Sequence, residues 1–101
     1  MDSPKVQKAT KKHLRDLFNA EGFYSNLNKN TTHTVLCYDD PAPQSANEPP
    51  ETMSQVHDYI DSSGNKLATI HRYRRKDGTL GASGKLDPHS LLLDGVLLFD
   101  P

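Results

Sequence analysis

The segment from Ile70 to Gly78, Ile-His-Arg-Tyr-Arg-Arg-Lys-Asp-Gly, gathers an imidazole, a phenol and four cations. His71, Arg72, Tyr73 and Lys76 are the side-chain types that a metal-independent endoribonuclease of the small-toxin kind needs. An imidazole moves protons, and cations stabilise the charge that develops on a phosphorane. Five histidines, His13, His33, His57, His71 and His89, offer a second acid–base group for such a reaction. No spacing among them marks a catalytic motif, so no catalytic residue is assigned and the sequence leans away from an enzyme. Endoribonuclease action through His71, Arg72 and Tyr73 is the alternative reading.

The same cations also suit binding. In an extended chain Arg72, Arg74 and Lys76 share one side, a row for phosphate or carboxylate contacts with Arg75 beside it, while Tyr73 on the other side is available for stacking. A second group lies near the start of the chain, where Lys5, Lys8, Lys12 and Arg15 follow steps of three and four and form a cationic stripe if the segment is helical. The leading expectation is therefore a small non-enzymatic interaction protein. It docks a basic surface, Lys5, Lys8, Lys12, Arg15, Arg72, Arg74, Arg75 and Lys76, on an anionic partner, either an acidic protein patch or a nucleic acid.

Charge along the chain is segmented. Two basic stretches, over 1–34 and 66–86, flank an acidic one, and the net charge is −1 with a sequence pI of about 6.5. Strong nonspecific nucleic-acid binding usually needs a basic domain, so any such surface here must be local.

Other chemistries are poorly provided for. His57, Asp58, Asp61 and His71 can meet across a hairpin, yet their spacing matches no ligand signature, and His57 with His71 reads as a cross-strand pair on a wet face. The glycines at 78, 81 and 84 lack the basic and helical context of a phosphate-binding loop. Cys37 is the single cysteine, which excludes an internal disulfide and a cysteine-built zinc site, and its β-prone neighbours suggest a buried thiol. No cofactor and no metal are expected, and a reducing, cytoplasmic setting fits best.

The elements that position these residues are readable in part. With 101 residues the chain suits one small domain over 1–101. Leu, Ile, Val and Phe total 21, enough for a modest core beside a substantial unstructured segment. Ser3-Pro4 reads as a helix start, and Val6, Ala9, His13, Leu14, Leu17 and Phe18 recur with helical period until Gly22, so a helix is expected over 4–21. The Asn-rich stretch 23–32 reads as loop. Thr34 to Tyr38 reads as a strand. Residues 41–52, with four prolines and no large apolar side chain, read as a mobile loop.

Beyond that loop Val56 to Ile60, Leu67 to Arg75 and Thr79 to Ser83 form an expected meander with turns at 62–65 and 76–78. The tail allows a short helix over His89 to Leu92 or a hairpin closed by Asp94-Gly95; a turn or short helix followed by a strand over 96–99 is preferred. The apolar runs Leu91 to Leu93 and Val96 to Phe99 fall far short of the roughly 20 residues a membrane span needs, so no membrane is expected. They must be covered, and a homodimer through this Leu-rich tail is one way to do so. The expected fold is α+β: an N-terminal amphipathic helix packed on an antiparallel meander of four or five strands.

Overall fold

The computed structural model describes residues 5–81 and 86–101. It is an α+β fold of two helices on a six-stranded mixed sheet, mostly antiparallel. The strands are β1 (Lys5–Lys8), β2 (His33–Pro41), β3 (Met53–Ile60), β4 (Lys66–Arg74), β5 (Asp87–Leu93) and β6 (Val96–Phe99), and the helices are α1 (Lys11–Phe18) and α2 (Phe23–Asn30). Across the sheet the order is β1-β6-β5-β4-β3-β2. Strands β2 to β6 run as an antiparallel meander: β2, β3, β4 and β6 fall where strands are expected, while β5 takes 87–93, where a turn or short helix is preferred, in place of the expected strand over 79–83. β1 adds a sixth strand, parallel to β6.

That sixth strand corrects the expectation of one helix over 4–21. Lys5 to Lys8 is extended and lies along Val96 to Phe99, with Ala9 N–H donating to the Phe99 carbonyl at 2.7 Å. Pairing with the apolar strand β6 overrides a helical period that propensity alone could only suggest. The helix starts instead at Thr10, whose hydroxyl accepts the His13 N–H at 3.1 Å. The cap expected at Ser3 and Pro4 lies outside the described residues.

The Asn-rich stretch is likewise a helix rather than a loop. Gly22 enters it at φ 81°, a left-handed value that glycine takes without a Cβ penalty. Phe23 and Leu27, one turn apart, then face the core, and burial outweighs the weak helix preference of asparagine. The last turn closes with Asn30 Nδ2 donating to the Asn26 carbonyl at 2.8 Å and Thr31 Oγ1 to that of Leu27 at 2.7 Å.

The tail forms the hairpin closed by Asp94-Gly95 rather than the preferred turn or short helix. Asp94 and Gly95 have φ of 49° and 78°, and two positive values suit a two-residue hairpin turn. The expected strand over 79–83 is reduced to one bridge between Leu80 and Arg74, and its end lies outside the described residues. The proline-rich loop forms a 3-10 turn at Gln44–Ala46, and its neck is closed by Ala42 N–H donating to the Thr52 carbonyl at 2.9 Å.

The core consists of Leu14 and Phe18 of α1, Leu27 of α2, Ala68 and Ile70 of β4, Leu91 of β5 and Leu98 of β6. α1 packs across β5. Opposite residues in an antiparallel register share a side. Tyr59, Ala68 and Leu91 therefore lie on the helix-covered side with Leu98, as do His57, Ile70 and Pro88. Val56, His71 and Asp87 line the open side. Much of the Leu-rich tail thus supplies the core, with Leu91 and Leu98 buried. No helix among the described residues is long and apolar enough to cross a membrane.

Candidate functional site

Strands β3, β4 and β5 carry the side chains that meet on the open side of the sheet. Ser54 comes from β3, His71 and Tyr73 from β4, and Asp87 and His89 from β5. The register sets Asp87 directly beside His71. His89 arrives there through an irregularity: Thr69 pairs with Ser90 and Ile70 with Pro88, so His89 is an extra residue with no partner on β4. Strict alternation from Leu91 would turn His89 under the helices. The bulge turns it the other way, a common means of re-aiming one side chain.

The resulting contacts are close. The rings of His71 and His89 stack with centroids 5.6 Å apart and planes 5° from parallel, and Tyr73 meets His71 edge-on at 4.7 Å. Nε2 of His71 shares a 2.8 Å hydrogen bond with the hydroxyl of the buried Ser54. One ligating atom from each of His71, Asp87 and His89 lies within 4.8 Å of the other two. From α1, Arg15 Nε donates to Asp87 Oδ1 at 3.1 Å.

Burial is the main influence on His71 and pushes its imidazole below the usual histidine value. The neighbouring His89 and the cation Lys11 act in the same direction, and only Asp87 opposes them. His71 is therefore a neutral ring near neutral pH. It is half-buried, whereas His89 is exposed.

The expected catalytic trio His71, Arg72 and Tyr73 is only partly assembled. His71 and Tyr73 touch, while Arg72 projects to the other side of β4 and donates through Nε to Gln55 Oε1 at 3.0 Å. The expected pairing of His57 with His71 does not form: Val56 stands opposite His71, and His57 sits on the helix-covered side opposite Ile70. Asp58 accepts from the Thr69 hydroxyl at 2.7 Å and Asp61 from turn N–H groups at Ser63 and Asn65, so neither joins the cluster. Cys37, expected to be buried, is exposed on the edge strand β2, and its thiol donates to the Val35 carbonyl at 3.3 Å.

The eight expected partner-binding cations are spread over β1, α1, β4 and the turn after it, and four of them meet carboxylates of the same chain. Lys5 and Lys8 lie on β1, off the helix stripe and on opposite sides of the strand. Lys12 pairs with Asp16 at 2.8 Å, Arg15 with Asp87, Arg75 with Glu48 at 3.0 Å and Lys76 with Glu51 at 2.8 Å. Arg74, exposed at the end of β4, shares the side of Arg72. A shallow cleft of about 490 Å³ lies where β1 passes into α1, and its lining includes Lys8, Lys11, His13 and Asp100.

Sequence reasoning left His89 as one of several histidines that could supply a second acid–base group and missed Asp87. The only local signal is their two-residue spacing in Asp87-Pro88-His89; their approach to His71 depends on strand register and on the bulge. No family model, curated protein or solved structure matches this chain.

Proposed function

We propose that the protein is a small interaction module that grips an anionic group of its partner at the cleft between β1 and α1. The observation that carries this reading is the contrast among the cations. Lys8 and Lys11 line an open cleft and hold no ion pair among the described residues, whereas Lys12, Arg15, Arg75 and Lys76 are each engaged by a carboxylate of the same chain. A paired cation offers a partner little, since its charge is already balanced and its geometry taken. Lys8 and Lys11 hold no such pair, and the carboxylate that an incoming anion meets in the cleft is that of Asp100. The grip is therefore assigned to the start of the chain, where Lys8 of the expected surface is joined by Lys11; at the end of β4 the exposed Arg74 also holds no ion pair among the described residues but stands beside cations already engaged, Arg75 and Lys76.

Capture of partners from a lysate over a salt series, with and without nuclease, tests this. Charge reversal in a Lys8→Glu/Lys11→Glu double variant is expected to lower capture at least tenfold, while Arg74→Glu/Lys76→Glu lowers it little. Equal capture by wild type and the Lys8/Lys11 variant would end the proposal. A nuclease-sensitive catch with a steep salt slope identifies nucleic acid as the partner, and a nuclease-resistant protein band identifies an acidic protein.

One observation favours a second reading, endoribonuclease action. The stacked His89 supplies the second imidazole that proton transfer from and to a ribose-phosphate needs, and Lys11 lies near enough to depress the pKa of His71. RNA cleavage in the presence of chelator should then vanish in both His71→Ala and His89→Ala while circular dichroism stays native. Absence of cleavage by the wild type at every pH from about 5 to 8, the range in which histidine titrates, rules it out.

A further inference from the structure

We propose that His71, Asp87 and His89 form a three-ligand site for a divalent transition-metal ion of the zinc class, with a fourth position open to solvent. This goes beyond the docking reading, and its ligands are other residues, with Lys11 a neighbour of both. Its first support is the donor set. Two imidazoles and one carboxylate are the ligands of open, exchangeable zinc sites, whereas calcium and magnesium prefer oxygen donors throughout.

Geometry is the second support. The three ligating atoms lie within 4.8 Å of one another. Zinc–nitrogen bonds of about 2.0 Å in a tetrahedron place ligands about 3.3 Å apart, so modest side-chain rotation closes the remaining gap. His89 is exposed, and that rotation opens its stack with His71. The bulge matters here as well, because a regular β5 would carry His89 away from the other two ligands.

Outer contacts are the third. A ligating imidazole usually has its other ring nitrogen fixed by a polar neighbour, and ligating carboxylates are themselves hydrogen-bonded. The Ser54 hydroxyl at His71 Nε2 leaves Nδ1 for the metal, and Arg15 at Asp87 Oδ1 leaves Oδ2. Arg15 and Lys11 also add positive charge near the ion. The site is therefore weaker than a structural zinc site and responsive to those two cations.

The test is titration of the full chain with Zn²⁺ alone against a chromophoric chelator, followed by Co²⁺ for its visible spectrum. One equivalent is expected to bind, and the cobalt spectrum should show ligand-field bands without the thiolate charge-transfer band that Cys37 would add. His89→Ala and Asp87→Asn should each weaken binding at least tenfold, His13→Ala, His33→Ala and Cys37→Ser less than twofold, and Lys11→Gln should tighten it. Should a variant at 89 fail to fold, imidazole NMR of the wild type decides: Zn²⁺ must shift the ring signals of His71 and His89 and spare those of His13 and His33. No saturable binding, a thiolate band, or undiminished affinity in a folded His89→Ala would overturn the site. The Lys8→Glu/Lys11→Glu variant can lose its partner while the Zn²⁺ result stands, so the two proposals fail separately.

Discussion

Strands β4 and β5 present two different sides. Toward the helices they carry Ala68, Ile70, Pro88 and Leu91, all essentially without solvent exposure. Toward the open side they carry Thr69, His71, Tyr73, Asp87, His89 and Ser90. Each strand is therefore read twice: one set of alternate residues excludes water and sets the fold, and the interleaved set gathers polar groups that such a core would reject. On the covered side even Tyr59 responds to this, since burial and the neighbouring Tyr24 push its phenol up to about 12. The division suggests that chemistry can change on the open side at little expense to folding.

Truncation on the covered side gives the largest expected effect and the most direct way to break this comparison. Leu14→Ala and Ile70→Ala each remove a fully buried side chain, and each should cost roughly 2 to 5 kcal/mol. His71→Ala deletes a half-buried ring and its bond to Ser54, for which about 1 kcal/mol is expected. Urea unfolding of the three variants checks the contrast. A cost for His71→Ala equal to that for Ile70→Ala would mean that the open side is part of the core in all but appearance.

A smaller difference separates two ion pairs that both tie the proline-rich loop to the end of β4. Arg75 donates to Glu48, whose side chain is only 3% exposed, while Lys76 meets a Glu51 that is 62% exposed. Removing Arg75 takes a donor from a buried carboxylate and should cost about 1 to 3 kcal/mol. Removing Lys76 should cost less than about 0.5 kcal/mol. Gly81 adds a sharper probe, because a Cβ there would press into the Glu48 carboxylate. Gly81→Ala should therefore destabilise by disturbing the same contact, and unfolding midpoints of the three variants rank them.

How legible the molecule was in its sequence follows the same divide between local and distant information. The turns at 62–65 and 76–78 and the strands between 53 and 74 are specified by neighbouring residues, and they appear where alternation and turn chemistry place them. β1 could not be read this way, because Lys5 to Lys8 becomes a strand only through its pairing with residues more than 90 positions away. α2 was hidden by its asparagines, whose poor helix preference is offset by the burial of Leu27 and the packing of Phe23. His71 and Tyr73 stood out from composition alone. Asp87 and His89 did not, because a single extra residue in β5 decides which side of the sheet His89 faces, and nothing in a run of seven residues announces a bulge.

The smallest effect, and the finest test of sidedness, concerns His57. Burial is the main cause that pushes its imidazole below the ordinary histidine value; the Arg72 guanidinium on the same side of the sheet adds to it, and Asp39 acts against both. The folded protein therefore binds the proton less readily than the unfolded chain, whose value is about 6.5. Above that pH both states are neutral at this position and the contribution to stability is complete. As pH falls through 6.5 the unfolded chain takes up a proton that the fold resists, so stability declines until the folded value is passed. His57→Gln should remove this part of the slope between about pH 7 and 5. In Arg72→Gln the NMR titration midpoint of His57 should rise, though burial keeps it below 6.5. A midpoint unchanged by Arg72→Gln would place Arg72 away from His57, on the side of His71, and the two-sided reading of β4 would fail at the one residue that separates the expected catalytic trio.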